Sequence, residues 1–204
     1  MAVRQGTLTK NVYDIYFPVI NRVEIQMQKK ERVIIAIDGP CASGKSSLAA
    51  LLSELYPSRI LHMDDYYLPM DRRTPGWEQI PSANMDLERF MQEALQPAAR
   101  GQAITYQPYS CREGKLLAAT VLPPARLTIV EGSYSHHPLL APYYDLKFFL
   151  SCTPQEQLLR LQHRESSHLE AYLQRWIPLE QAYYQTYDIP KRSDFCFDNT
   201  LYFT

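Results

Sequence analysis

An apolar run, Val33-Ile-Ile-Ala-Ile37, leads into Gly39-Pro-Cys-Ala-Ser-Gly44-Lys45-Ser46, and Leu48, Leu51, Leu52 and Leu55 follow at i, i+3, i+4, i+7. No other stretch constrains the chain so tightly. The run reads as a buried strand and the leucines as one face of a helix. The glycines and the Lys-Ser pair between them fit G-x-x-x-x-G-K-[ST] at every specified position. Glycine opens backbone conformations closed to other residues, so the loop can turn its N–H groups inward as an anion nest. The helix that starts there aims its positive dipole end at the same point. Gly39, Cys41, Ala42, Ser43, Gly44, Lys45, Ser46 and Ser47 are therefore expected to cradle nucleotide phosphates. Lys45 supplies a cation for the outer phosphates, and the Ser46 hydroxyl is a Mg²⁺ ligand.

At 204 residues the chain suits one domain with a small appendage. Its net charge of −1 gives no electrostatic reason to expect nucleic acid or an anionic membrane as a partner. No apolar run approaches a membrane span. The first residues lack the apolar core of a secretory leader. Cys41, Cys111, Cys152 and Cys196 are scattered, with no C-x-x-C pair, which suits reduced thiols in a cytoplasmic protein. Whether the chain forms a homo-oligomer stays open.

Residues 1–31 are expected to form a helical appendage, with a helix over about 19–30 beginning after Pro18. Residues 32–204 form the main domain. Arg59–Met63 reads as a second strand ending at Asp64-Asp65, and 68–82, rich in proline, as a long functional loop. Leu87, Phe90, Met91, Ala94 and Leu95 mark a helix face. Ala103–Ser110 and Leu116–Leu122 suggest a hairpin, so about 66–122 is an excursion suited to an acceptor molecule. Leu127–Val130 and Leu146–Leu150 are further strands. Thr153-Pro154-Gln155-Glu156 opens a helix with a capping box. A last helix from Leu169 is kinked near Pro178, and Phe195–Phe197 is a final strand. Strands alternating with helices imply an α/β fold with a mostly parallel sheet covered on both faces.

In such sheets ligands sit at the carboxyl ends of the strands. Three strands end there in phosphate-binding or acidic groups, at the loop, at Asp64-Asp65 and at Glu131. A carboxylate beside the loop can hold Mg²⁺ or take the proton of an attacking hydroxyl. Asp64 is the candidate for the second role; Ser46, Asp64 and Glu131 are the candidate metal ligands. Asp65 is read as a cap. Arg160 and Arg164 share a helix face and suit phosphate oxygens; they lead into a short lid over about 164–170. Their alternative is a solvated face with Glu156 paired to Arg160. His136 and His137 read as a surface loop. Tyr66, Tyr67, Trp77, Tyr106 and Tyr109 offer stacking surfaces for a planar acceptor.

Together these residues resemble the uridine kinase-like branch of the P-loop small-molecule kinases, from about Arg32 to about Asn199. Met63-Asp64-Asp65-Tyr66-Tyr67 is similar to the family's Asp-x-Phe-Tyr segment. The resemblance implies a three-layer α/β/α sandwich and a catalytic role for Asp64 with Lys45, Arg160 and Arg164. It carries ribose binding to Asp86 and base contact to Tyr106, with Tyr67 beside them. Glu131, in Val130-Glu131-Gly132, inherits a Mg²⁺-shell role. Cys111 stands where the family has its base-reading histidine, Leu87-Glu88-Arg89 replaces a His-Pro-Asp run, and the lid lacks its Arg-Gly-Arg. The implied activity is transfer of the ATP γ-phosphoryl group, with Mg²⁺, to a small-molecule hydroxyl. The 5′-hydroxyl of uridine or cytidine comes first. A pantothenate-like compound, a sugar phosphate, or a non-catalytic nucleotide-binding regulator remain alternatives.

Overall fold

A computed structural model describes residues 12–201. Residues 1–11 of the expected appendage and the last three of the main domain lie outside them. The central sheet holds β1 (Val33–Asp38), β2 (Ser58–His62), β7 (Leu127–Glu131), β8 (Leu146–Ser151) and β9 (Phe195–Asp198). Their order across the sheet is β2-β7-β1-β8-β9, and every pairing is parallel. Where the sequence suggested a mostly parallel sheet, this one is wholly so.

Side chains alternate along each strand, and β1 supplies both cores. Val33, Ile35 and Ile37 face one side, where they meet α1 (Val12–Lys29) and α2 (Lys45–Leu55). Ile34 and Ala36 face the other, against α3 (87–99) and α5 (169–186). The result is the three-layer α/β/α sandwich that the resemblance implied, with the sheet covered on both faces as the patterning suggested. Between β2 and β7 the chain makes its excursion. After a proline-rich loop and α3 come two small antiparallel ladders. One joins β3 (Ile104–Tyr106) to β6 (Thr120–Leu122), the other β4 (Tyr109–Ser110) to β5 (Lys115–Leu116).

Three local expectations need correction. α1 runs straight through Pro18 instead of starting after it. A proline inside a helix costs about 3 kcal/mol, but Tyr16, Val19, Val23 and Met27 form one buried stripe that spans it. Burying such side chains stabilises by about 1.5–3 kcal/mol each, so packing wins. In α5, where the sequence suggested a kink, a π turn at Tyr172–Trp176 stands one residue before Pro178 and the helix continues through it; the wider turn makes room for the ring. α4 (Pro154–Glu165) has only half a capping box. Thr153 Oγ1 accepts from the Glu156 amide at 3.3 Å, while the Glu156 carboxylate turns to Arg160. The Thr153 amide goes instead to Thr200.

Candidate active site

Because all five strands point the same way, their carboxyl ends meet at one edge. Register places Ile37 and His62 on either side of Glu131. The glycine loop leaves β1 there and α2 begins at Lys45. Gly39, Ala42 and Gly44 all take positive φ, the conformation that curls the loop back over the helix N-terminus. The outward carbonyls are tied down from behind. Asn199 Nδ2 donates to Ser43 O at 2.8 Å, and Arg160 donates to Ala42 O at 3.1 Å and Asn199 O at 2.7 Å. Lys45 Nζ lies over the loop, donating to Gly39 O and Pro40 O at 2.8 and 3.0 Å.

A cavity of ≈ 1060 Å³ opens above the loop. Cys41, Ala42, Gly44, Lys45, Ser46 and Ser47 form its floor. Asp64, Tyr67, Cys111 and Glu131 stand on one side, Arg160 and Arg164 on another. Of the residues singled out from the sequence, these twelve share one space. Gly39 and Ser43 shape the loop from beneath.

Asp86 and Tyr106 do not line this cavity. Asp86 caps α3 by accepting from the Arg89 amide, and its carboxylate lies 3.5 Å from Arg72 and 3.6 Å from Arg89. The Tyr106 hydroxyl donates to Asp65 and accepts from the His62 amide, which locks the second strand's end to the excursion. Asp65 thus serves the fold through Tyr106. Arg160 is also held by Glu156 at 2.8 Å, so the i, i+4 pair forms while its guanidinium braces the loop.

Charge is concentrated around Lys45. Glu131 accepts from Ser46 Oγ at 3.1 Å and sits 2.6 Å from His62 Nδ1. Burial alone would raise its pKa, but His62, Lys45 and Ser46 together hold it below the usual carboxylate range. Asp64 is exposed to the cavity, although protein groups stand around its carboxylate on the other sides. That enclosure raises its pKa, with Glu131 and Asp65 adding to the rise and Lys45 and the Tyr67 hydroxyl, 3.2 Å away, opposing it. The two carboxylates are thereby separated in basicity: Glu131 stays ionised, and Asp64 is the better proton acceptor.

Sequence reasoning missed a second tier of acids. Asp38 is fully buried at the end of β1, and burial lifts its pKa to about 6. It accepts from the amides of Gly39 and His136 and from the Tyr183 hydroxyl. Glu180 on α5 is buried beside the loop, accepting from the Cys41 amide at 2.9 Å and from Ser133 Oγ at 2.5 Å. Each left a trace. Asp38 ends an otherwise wholly apolar strand, and Glu180 continues the stripe Leu173, Trp176, Ile177 at i+7, where an apolar residue is expected.

His136 lies in the core rather than on a surface loop. Its ring contacts Ala36 O and Ser193 Oγ, and burial lowers its pKa to about 3. An imidazole kept neutral in the fold contributes stability that is complete above its unfolded pKa of about 6.5 and is lost as pH falls. Between pH 7 and pH 5 the wild type is expected to lose about 2 kcal/mol relative to His136→Gln. Urea unfolding of both proteins at the two pH values checks this; parallel pH profiles would contradict it.

No family model and no curated protein matches the sequence. Solved structures do match the fold. A possible uridine kinase from Bacillus stearothermophilus superposes with a TM-score of 0.64 at 19% identity, covering 89% of this chain and 100% of that one. Phosphoribulokinase from Rhodobacter spheroides gives 0.59 at 13% identity, over 82% of this chain and 70% of that one. D-glycerate 3-kinase from Cryptococcus neoformans gives 0.59 at 13%, over 82% and 88%. The chain has the fold of the P-loop small-molecule kinases. No helix among the described residues is long and apolar enough to cross a membrane.

Proposed function

We propose that this protein is a kinase that moves the γ-phosphoryl group of ATP to a hydroxyl of a small molecule. One observation carries the reading: Asp64, a carboxylate of raised basicity, opens on the same cavity as Lys45 and the Ser46–Glu131 pair. The residues fit the groups invoked. Gly39, Ala42 and Gly44, all at positive φ, give the loop the curl that an anion nest needs. Ser46 and Glu131, hydrogen-bonded to each other at 3.1 Å, offer the hard oxygen donors that Mg²⁺ prefers. Bound Mg-ATP supplies the phosphoryl group and a divalent charge to shield it.

Asp64 takes the proton as the acceptor oxygen gains its bond to the γ-phosphorus and the bond from that phosphorus to the departing ADP oxygen breaks, and Tyr67 orients the carboxylate. Lys45 and the loop amides offset charge on the phosphates. Arg164 approaches from the lid side, while Arg160 keeps the loop carbonyls turned outward. The transition state of phosphoryl transfer is loose, so placement and fixed charge supply most of the rate gain.

The first-choice acceptor is a pyrimidine nucleoside, since Tyr67, Tyr172 and Trp176 give the cavity an aromatic wall suited to a planar base. A second reading rests on Asp86. Its carboxylate is committed to α3 and two arginines, which favours an acceptor without a ribose diol, such as another hydroxylated metabolite. The four free cysteines suit a cytoplasmic setting.

Purified protein with Mg-ATP, offered nucleosides, pantothenate-like compounds and sugar phosphates in turn, is expected to phosphorylate one class. Lys45→Ala should lower that transfer at least a hundredfold, by analogy with removing one preorganised donor. ATP bound with every acceptor left unchanged would replace the kinase reading with that of a nucleotide-binding regulator.

A further inference from the structure

Phosphate loops hold anions by their backbone amides, and in this chain an amide of the loop is already taken. Glu180, one-twentieth exposed, reaches from α5 to the Cys41 N–H at 2.9 Å, and its other oxygen accepts from Ser133 at 2.5 Å. The carboxylate also lines the cavity with Lys45 and Ser46. We propose that Glu180 is the loop's internal anion, which nucleotide phosphates must bind against, and that it sets nucleotide affinity. The proposal rests on the kinase reading above and adds a residue that the reading does not need.

The argument is electrostatic. A carboxylate and a phosphate tail in one enclosed site repel, and low polarisability in the interior magnifies the effect. The Cys41 amide cannot give a full hydrogen bond to both. Lys45 is the cation that lowers the cost of burying Glu180, yet burial still leaves its pKa raised. The other groups facing it include the Cys41 thiol and the hydroxyls of Tyr67, Tyr134 and Tyr184, whose own ionisation it opposes. When phosphates draw on Lys45, Glu180 loses part of the positive charge that offsets its burial.

The placement also links two ends of the site. Tyr183, three residues on, donates to Asp38, which accepts from the Gly39 amide. One face of α5 therefore grips the loop at Gly39 and Cys41, while Tyr172 and Trp176 of the same helix line the cavity. Weakened nucleotide binding has a use here, since it speeds departure of the spent nucleotide.

Titration calorimetry of the full chain with Mg-ADP and Mg-ATP tests the idea. Glu180→Gln keeps the size and removes the charge; Glu180→Met removes both charge and acceptor. Thermal melts first establish which variants fold, and either suffices. Both are expected to bind each nucleotide at least tenfold more tightly than wild type, the methionine variant at least as tightly as the glutamine one. Unchanged or weaker binding in a folded variant overturns the proposal while leaving the kinase reading intact. If wild type and variants alike bind no nucleotide, the kinase reading fails and this inference falls with it.

Discussion

Asp64→Asn protein is expected to fold, to bind Mg-ATP within a few-fold of wild type, and to transfer phosphate a hundredfold to ten-thousandfold more slowly. The substitution keeps the shape and leaves an acceptor for the Tyr67 hydroxyl, now 3.2 Å from the carboxylate. What disappears is the base. Asp64 suits that task because its enclosure, with Glu131 and Asp65 nearby, raises its pKa against the pull of Lys45. The same shift predicts the pH profile. Turnover needs the carboxylate ionised, so it falls as pH drops through the raised pKa, by tenfold per unit. The residual turnover of the Asn variant should lack that limb. Glu131, held below the usual range by His62, Lys45 and Ser46, stays ionised throughout and cannot mimic the effect. Single-turnover rates at several pH values separate chemistry from product release. An Asn variant with wild-type turnover would remove Asp64 from the mechanism.

Much of the floor and one wall of this cavity could be read from the chain. The glycine loop and the residues at strand ends depend on local patterning, and local patterning is what a sequence displays. Parallel strands then do the gathering: once Val33–Asp38, Ser58–His62 and Leu127–Glu131 lie side by side, the positions that follow them must meet. Asp86 and Tyr106 went astray for a different reason. Their roles came from resemblance, and in this fold one carboxylate is turned to α3 and two arginines and the tyrosine hydroxyl to Asp65. Asn199 left no signal and Glu180 only an acid on an apolar stripe, because each acts across more than a hundred residues of sequence, on Ser43 and Cys41 respectively. Pro18 misled because propensity is local, whereas the stripe Tyr16, Val19, Val23, Met27 is stabilised by a tertiary surface.

Among Gly39, Gly76, Gly101, Gly114 and Gly132, Gly39 is expected to be the position where an added methyl does the most damage. A Cβ at this position would sit 2.0 Å from Leu150 O, on a backbone carbonyl of β8, and the residue has φ of +144°. Two costs combine. The backbone conformation is disfavoured for an L side chain by about 1–2 kcal/mol. The steric overlap cannot be relieved by a rotamer, since its partner is the main chain of a central strand, and overpacking of this kind adds about 1–3 kcal/mol or more. Gly76→Ala is the control. It also has positive φ, at +76°, but no atom lies within 4 Å of the new methyl. It should cost only about 1 kcal/mol. At roughly 2–4 °C per kcal/mol for a domain this size, Gly39→Ala should melt on the order of 10 °C below wild type and Gly76→Ala within a few degrees. Nucleotide binding should vanish in the first variant, at temperatures where it is still folded, and persist in the second. The difference follows from how the loop is made. β1 and β8 are paired up to Asp38 and Phe149, and the chain then turns directly against the next carbonyl of β8, so the sheet sets the loop's entry before any ligand arrives. Equal melting temperatures for the two variants would mean that the close approach at Leu150 is relaxed at no cost, and that the nucleotide, not the sheet, shapes the loop.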